Sequence, residues 1–240
     1  MKLAYITLTV LGLAAMNRAQ VTLEPGNGIE HSPHNFASAT WNVARPGELC
    51  GVCHIPHVEA RDPSRISPQL LWGRELSAAT YTPYTSPTMQ ATMGQPVGSS
   101  RLCLGCHDGS VALEMFGSVN ATTTTFIDNV KKVPGKDAFD FGADHPISIQ
   151  YPSNDPGLRD KDTSVFGPTG TRFIRDYLEG DGPGNPGLVQ CSTCHDVHNR
   201  DIVPGTNVLN TPPTPMNYLL RMSINNPGRE SELCLACHIK

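Results

Sequence analysis

Apart from one segment near the N-terminus, the hydrophobic positions of this 240-residue chain fall into short groups. That segment, residues 3–15, follows Lys2 and is mostly apolar. It is too short for a transmembrane helix, which needs about 20 apolar residues, but it suits the apolar core of a secretory signal peptide. We therefore predict a signal peptide over residues 1–19, with cleavage after Ala15 or Ala19, and no membrane span in the mature chain.

Glycine and proline interrupt the hydrophobic pattern of the remaining chain. Together they account for 43 of the 240 residues, well above the roughly 12% of average usage. Because neither residue supports a long helix or strand, we predict a mostly irregular chain with short helices and few short strands. Short helices are expected across or after the cysteine motifs described next, as at residues 110–116 and 216–222. A strand or hairpin is expected within residues 119–132.

All eight cysteines belong to four copies of one pattern, C-x-x-C-H. The copies are Cys50-Gly-Val-Cys53-His54, Cys103-Leu-Gly-Cys106-His107, Cys191-Ser-Thr-Cys194-His195 and Cys234-Leu-Ala-Cys237-His238. This is the attachment sequence of c-type haem, in which two thiols form thioethers to one porphyrin and the histidine becomes the proximal iron ligand. Since no cysteine is left over, the sequence predicts four covalently bound haems c and no disulfide.

Three other uses of paired cysteines fit this sequence less well. A zinc site places two C-x-x-C pairs around one metal and does not require a histidine directly after each pair. Chance would put a histidine after all four pairs only about twice in a million trials. A thioredoxin-like motif would occur once, within a βαβ unit. Disulfides suit an exported protein, but they do not call for this spacing.

Five histidines remain as candidates for the distal ligands of the four irons: His31, His34, His57, His145 and His198. His57 and His198 each follow a motif histidine by three residues, and three residues span at most about 11 Å. This is less than the Cα separation of two histidines on opposite sides of one iron, so each must reach a different haem. We predict His34, His57, His145 and His198 as the distal ligands, with His31 as the alternative to His34.

The two halves of the chain carry the same order of motifs: a distal histidine, then C-x-x-C-H-x-x-H, then Leu-Cys-Leu-x-Cys-His. We predict an internal repeat of two dihaem halves, residues 20–135 with an N-terminal arm and residues 136–240, in one continuous domain. Aromatic residues make up only 6% of the chain. The four porphyrins are therefore expected to supply the core around which the chain wraps.

A histidine for every iron makes methionine unnecessary as an axial ligand and leaves no open position for a substrate. The sequence therefore predicts an electron-transfer protein without catalytic residues rather than an enzyme. The formal charge is −4, and each haem adds two propionates. We expect an anionic holoprotein that does not bind nucleic acid.

The motifs and their flanking residues resemble the tetrahaem outer-surface c-type cytochromes of the OmcE type. Five segments carry this resemblance in order: Ser32-Pro33-His34-Asn35-Phe36, Cys53-His54-Ile55-Pro56-His57, Leu102-Cys103-Leu104-Gly105-Cys106-His107-Asp108-Gly109, Asp144-His145-Pro146-Ile147-Ser148 and Cys194-His195-Asp196-Val197-His198. The resemblance covers nearly the whole mature chain. It implies bis-histidine ligation, little regular structure, and assembly of identical subunits into an extracellular nanowire. It also implies one distal histidine, His34 or His31, donated by the neighbouring subunit.

On this basis we expect a filament subunit that carries respiratory electrons from the cell surface to external acceptors and exchanges electrons with redox partner proteins. The alternative is a discrete periplasmic or surface carrier that feeds a reductase. Both functions require export, because haem c is attached outside the cytoplasm. We expect an extracellular or cell-surface location first and a periplasmic one second.

Overall fold

The computed structural model describes residues 28–55, 71–117, 124–134, 139–152, 154–166, 171–180, 187–198, 208–209, 216–217, 219–222 and 232–239. The predicted signal peptide and His57 lie outside these residues. Within them, no helix is long and apolar enough to cross a membrane.

Regular structure is sparse in the described residues, and every element is short. The α-helices there are α1 (Gly98–His107), α2 (Cys191–Cys194) and α3 (Glu232–Cys237), and the 3-10 helices are Ile29–His31, Asn129–Lys131 and Ile174–Tyr177. The strands are β1 (Ile149–Gln150), β2 (Val165–Phe166), β3 (Arg172–Phe173), β4 (Leu188–Val189), β5 (Val208–Leu209) and β6 (Met216–Asn217). They form three antiparallel pairs, β1 with β4, β2 with β3 and β5 with β6. Most of the described chain is therefore irregular.

The α-helices coincide with cysteine motifs, as expected from the sequence. Helix α1 ends on the histidine of the second motif, α2 spans the cysteines of the third, and α3 ends on the last cysteine of the fourth. Leucine inside the second motif and leucine and alanine inside the fourth favour helix, whereas the glycine and proline around the motifs do not. The helices therefore extend little beyond the motifs, except for the first turns of α1.

The helices predicted at residues 110–116 and 216–222 are wrong. In the first segment, the Asp108 carboxylate accepts hydrogen bonds from the backbone N–H and the hydroxyl of Ser110, both at 2.8 Å, which forms a turn instead of a helix. In the second, β6 pairs with β5, and Leu219 has a φ of 53°, outside the helical region. In both segments, other hydrogen bonds and pairings replace the helix.

The described part of residues 119–132 contains no strand or hairpin. It contains the 3-10 helix Asn129–Lys131. Thr125 bonds instead to a loop, since its carbonyl accepts a hydrogen bond from the Leu113 N–H at 2.7 Å. Its own N–H donates to both carboxylate oxygens of Glu114, at 3.0 and 2.9 Å. These bonds occupy the backbone groups that a strand partner would use.

Buried apolar side chains of the described residues form two small clusters. The first comprises Tyr81, Met93, Leu104, Phe141, Ile147 and Ile149. The second comprises Tyr151, Phe166, Ile174, Leu178 and Ala236. The first packs around α1, which carries the second motif, and the second contacts α3, which carries the fourth. Each cluster therefore fixes the position of a motif helix.

Helices α1 and α2 join the two halves of the chain. The hydroxyl groups of Ser99 and Ser192 are 2.7 Å apart, and the Cys191 N–H donates to the Ser100 hydroxyl at 3.0 Å. Ser100 in turn donates to the side-chain oxygen of Gln190, and both side chains are buried. This hydrogen-bonded contact places the second and third motifs side by side.

Candidate functional site

Each C-x-x-C-H motif forms one helical turn. The N–H of the motif histidine donates to the carbonyl of the first cysteine at 2.8 Å for His54, 2.9 Å for His195 and 2.9 Å for His238. His107 is the last residue of α1. Residues three and four positions apart lie on one face of a helix. The two thiols and the imidazole of each motif therefore face the same side, which is the arrangement that one porphyrin requires.

An extended segment pairs with three of the motifs in the same way. Antiparallel bridges join His54 to Trp72, His195 to Leu220 and His238 to Leu158. In each case the next residue of that segment donates its N–H to the second cysteine of the motif. These bonds are Gly73 to Cys53 at 2.8 Å, Arg221 to Cys194 at 2.9 Å and Arg159 to Cys237 at 2.8 Å. The pairing fixes the backbone on which each motif histidine is carried.

The first and third motifs share a further detail. Ile55 donates its N–H to Leu71 at 2.9 Å, and Asp196 donates to Leu219 at 2.7 Å. Both leucines adopt the left-handed conformation, with φ of 50° and 53°, which is uncommon for a residue other than glycine. The first and third C-x-x-C-H motifs, each with the residue that follows it, are therefore held in the same local structure.

Three motif histidines each lie beside a histidine that the sequence predicts as a distal ligand. The ring centroids are 6.0 Å apart for His107 and His34, 6.4 Å for His54 and His198, and 6.3 Å for His238 and His145. The interplanar angles of these pairs are 47°, 16° and 72° in the same order. The three pairs thus have nearly the same separation and very different ring orientations.

That separation is the one expected for two imidazoles on opposite sides of one metal atom. Each metal–nitrogen bond is about 2.0 Å and each ring centre lies about 1.1 Å beyond its nitrogen, which gives about 6.2 Å between centroids. Among the described residues, no group of three or more His, Cys, Asp or Glu side chains is placed to hold a bare metal ion. Six of the eight described histidines instead meet in three pairs, and two imidazoles are what one haem iron would need.

His195, the histidine of the third motif, and His198 lie close enough to His34 that a positive charge on either would lower the pKa of that imidazole, after the larger effects of burial and of His107. His57 falls outside the described residues, so its assignment as a distal ligand stays a prediction. His31 belongs to the 3-10 helix Ile29–His31, three residues before His34.

Two of the paired histidines are oriented through their second ring nitrogen. His107 Nδ1 lies 2.9 Å from the Lys131 carbonyl oxygen, and His145 Nδ1 lies 2.9 Å from that of Pro146. A carbonyl oxygen can only accept, so Nδ1 carries the proton in both rings. The lone pair of Nε2 is then available to a metal, which is the usual arrangement of a metal-bound histidine. No sequence motif indicates these carbonyl partners.

Three of the paired histidines, His34, His107 and His145, have lowered pKa values and are neutral at neutral pH. Burial is the main cause for His34, whose pKa it lowers to about 4. Burial is also the main cause of the lowered pKa of His107 and of His145. Only the neutral imidazole can bind a metal, so these rings are in the form that a haem iron takes up.

The cysteines of different motifs lie close together, and none of them forms a disulfide. Burial raises the pKa of Cys53 to about 11, and the negative charge of Cys106 adds to this. Interaction with the Cys191 thiol raises the pKa of Cys103. Burial raises the pKa of Cys194 to about 12, with a contribution from Cys237. The first motif therefore adjoins the second, the second adjoins the third, and the third adjoins the fourth.

Buried polar atoms without a hydrogen-bond partner cluster around the predicted haem ligands. In the described part of the chain these atoms are His34 Nδ1, Trp72 Nε1, Arg74 Nε and Gln190 Nε2. The Trp72 ring meets the His54 ring edge-on at 6.0 Å, and Gly73, the residue before Arg74, bonds to the Cys53 carbonyl. Unpaired buried polar groups are rare in folded proteins. Their position is consistent with a bound group at these motifs, and the donor set of two thiols and two imidazoles fits haem c.

No protein-family model matches this chain, and a search of curated proteins finds no significant match.

Proposed function

We propose that this protein is a tetrahaem c-type cytochrome that transfers electrons over long distances through four bis-histidine haems. The observation that carries the proposal is the set of three histidine pairs at 6.0 to 6.4 Å. Each pair combines a C-x-x-C-H histidine with one of the distal histidines that the sequence predicts. The haem supplies reversible one-electron chemistry when bound.

The chain's own residues hold and orient the four groups. Each cysteine pair forms the two thioether bonds to one porphyrin, and the motif histidine binds the iron from the same side. His34, His198 and His145 provide the opposite ligands for the irons of His107, His54 and His238. His57 is the candidate for the iron of His195, because it cannot bind the iron of its own motif. With that assignment, His57, which follows the first motif, would bind the iron of the third, and His198, which follows the third motif, would bind the iron of the first.

The proximity of the motifs supports electron transfer between haems. An exchanged histidine draws two porphyrins together, because it is only three residues from the ligand of one iron while it binds the next. The contact of Cys103 with Cys191 does the same for the second and third haems. Short separations between porphyrin edges are what fast electron transfer requires, so no acid–base or nucleophilic group is needed.

Within this proposal, the chain is the repeating subunit of an extracellular conductive filament that delivers respiratory electrons to external acceptors. The support is the resemblance of the motif-flanking segments to OmcE-type cytochromes. In such a filament, His34 of one subunit would bind the His107 iron of the next. The alternative is a discrete periplasmic or surface carrier that feeds a reductase. The His34–His107 pair within one chain favours this alternative, because it completes that ligand set without a neighbour.

Two measurements on the purified holoprotein test the proposal. The intact mass under denaturing conditions should exceed that of the mature polypeptide by four haem groups, since thioether bonds survive unfolding. A mass equal to that of the polypeptide alone would overturn the cytochrome proposal. Electron microscopy then distinguishes the filament subunit from the discrete carrier. Filaments in the wild type that disappear in His34→Ala support the nanowire. Discrete particles in the wild type support the carrier.

A further inference from the structure

Arg74 lies between the first and second cysteine motifs. The residue before it, Gly73, donates its N–H to the Cys53 carbonyl at 2.8 Å. A methyl group placed on Gly105, which precedes Cys106, would lie 2.9 Å from the backbone oxygen of Glu75. The segment around Arg74 is therefore in contact with both motifs.

The Arg74 side chain is one of the most deeply buried of the described chain, with 1% of its surface exposed. Its Nη1 donates to the Leu113 carbonyl at 3.1 Å and its Nη2 to the Ala112 carbonyl at 3.3 Å. The guanidinium carbon lies 5.7 Å from the centre of the Phe116 ring. Nε has no partner, and Arg74 forms no salt bridge within the described residues. A full positive charge is thus kept inside the protein by carbonyl dipoles and an aromatic ring.

Glu114 is a carboxylate whose negative charge opposes the positive charge of Arg74. Its side chain is 2% exposed. Burial alone would raise the pKa of Glu114, but the hydrogen bonds from Thr125 and the positive charge of Arg74 outweigh burial and leave the pKa lowered. Glu114 is therefore ionised at neutral pH. Because the two groups form no direct ion pair, the field of Arg74 is only partly cancelled.

A buried charge acts strongly on its neighbours, since neither water nor salt screens it. Reduction of a haem iron adds one electron, and a nearby positive charge stabilises the reduced form. Arg74 lies beside both motifs, since its neighbour Gly73 bonds to Cys53 and the backbone of its other neighbour, Glu75, lies against Gly105.

We infer that Arg74 is a buried positive charge that raises the reduction potentials of the haems attached at the first two motifs. This inference rests on the proposed function. It makes the haems of the first two motifs easier to reduce than they would be without this charge. Arg74 acts here through its charge on the haems and is not an iron ligand.

The test is a spectroelectrochemical titration of the holoprotein and of matched variants. Arg74→Gln removes the charge and should lower the reduction potentials of two of the four one-electron steps. The expected change in their reduced-to-oxidised ratio at fixed potential is about tenfold, which corresponds to a shift of about 59 mV. Arg74→Lys keeps the charge and should restore most of the shift. Arg172→Gln removes an exposed charge from β3 and should leave all four steps unchanged, because solvent screens that site.

Glu114→Gln gives the opposite sign and does not depend on the folding of an Arg74 variant. It removes the negative charge that opposes Arg74 and should raise the same two steps. The inference is overturned if Glu114→Gln leaves the titration unchanged, or if Arg74→Lys shifts it as far as Arg74→Gln. Retention of four haems with unshifted potentials would refute this inference alone, whereas absence of haem from the wild type would refute the proposed function.

Discussion

The assignment of His198 to the iron of His54 can be tested by removing the His198 imidazole. The two rings are 6.4 Å apart and inclined by only 16°, although 144 positions of sequence separate them. In His198→Ala the remaining methyl group cannot reach the iron, so one haem loses an axial ligand. We expect one of the four haems, or about a quarter of the ferric signal, to become high-spin.

The assay is electron paramagnetic resonance of the oxidised holoprotein, combined with carbon monoxide binding after reduction. His198→Ala should show one high-spin ferric centre per chain and should bind one carbon monoxide. His31→Ala is the matched control and should stay low-spin at all four irons, because four other histidines suffice for four irons.

A second variant locates the affected haem. Cys50→Ser with Cys53→Ser removes the first haem and should leave three low-spin centres. Adding His198→Ala to that protein should create no high-spin signal, because the iron that His198 serves is already absent. A high-spin signal in the combined variant would refute the pairing, since it would place His198 on another iron.

The remaining predictions concern the backbone contact of α1 and the orientations of the axial rings. Gly105→Ala should lower the free energy of unfolding of the holoprotein by about 1–3 kcal/mol, because its methyl group would meet the Glu75 backbone oxygen at 2.9 Å. Alanine normally stabilises a helix relative to glycine, so the expected effect has the opposite sign to the usual one. Gly94→Ala, with nothing within 4 Å, is the control for thermal melting, and equal melting temperatures of the two variants would contradict the prediction. The rings of the His145–His238 pair are inclined by 72°, so its haem should give a more anisotropic low-spin signal in electron paramagnetic resonance than a haem with near-parallel rings. Loss of that signal in His145→Ala would assign it to this pair. Four identical low-spin signals would contradict the different ring angles.

The local part of the site was predictable from the sequence. Two thiols and an imidazole within five consecutive positions define an attachment motif whatever the rest of the fold does, and the helical turn that carries them follows from the same spacing. The exclusion of His57 and His198 from their own irons needed only the length of the chain between two residues.

The pairing of ligands was not predictable, because it depends on contacts far apart in sequence. His34 meets His107 and His198 meets His54 only after the irregular segments between them have folded. The wrong helix at residues 110–116 has a related cause: its end, Phe116, bridges to Arg74, and that distant contact outweighs local propensity. Arg74 itself lies in no motif, and only its burial distinguishes it from an ordinary surface arginine.

The proposed function requires that four haems are bound and that every iron has two histidine ligands. Spin quantification of the oxidised, purified holoprotein by electron paramagnetic resonance tests both requirements at once. We expect four low-spin ferric centres per chain and no high-spin signal. Fewer than four centres, or a high-spin signal equal to one centre or more in the wild type, would contradict it.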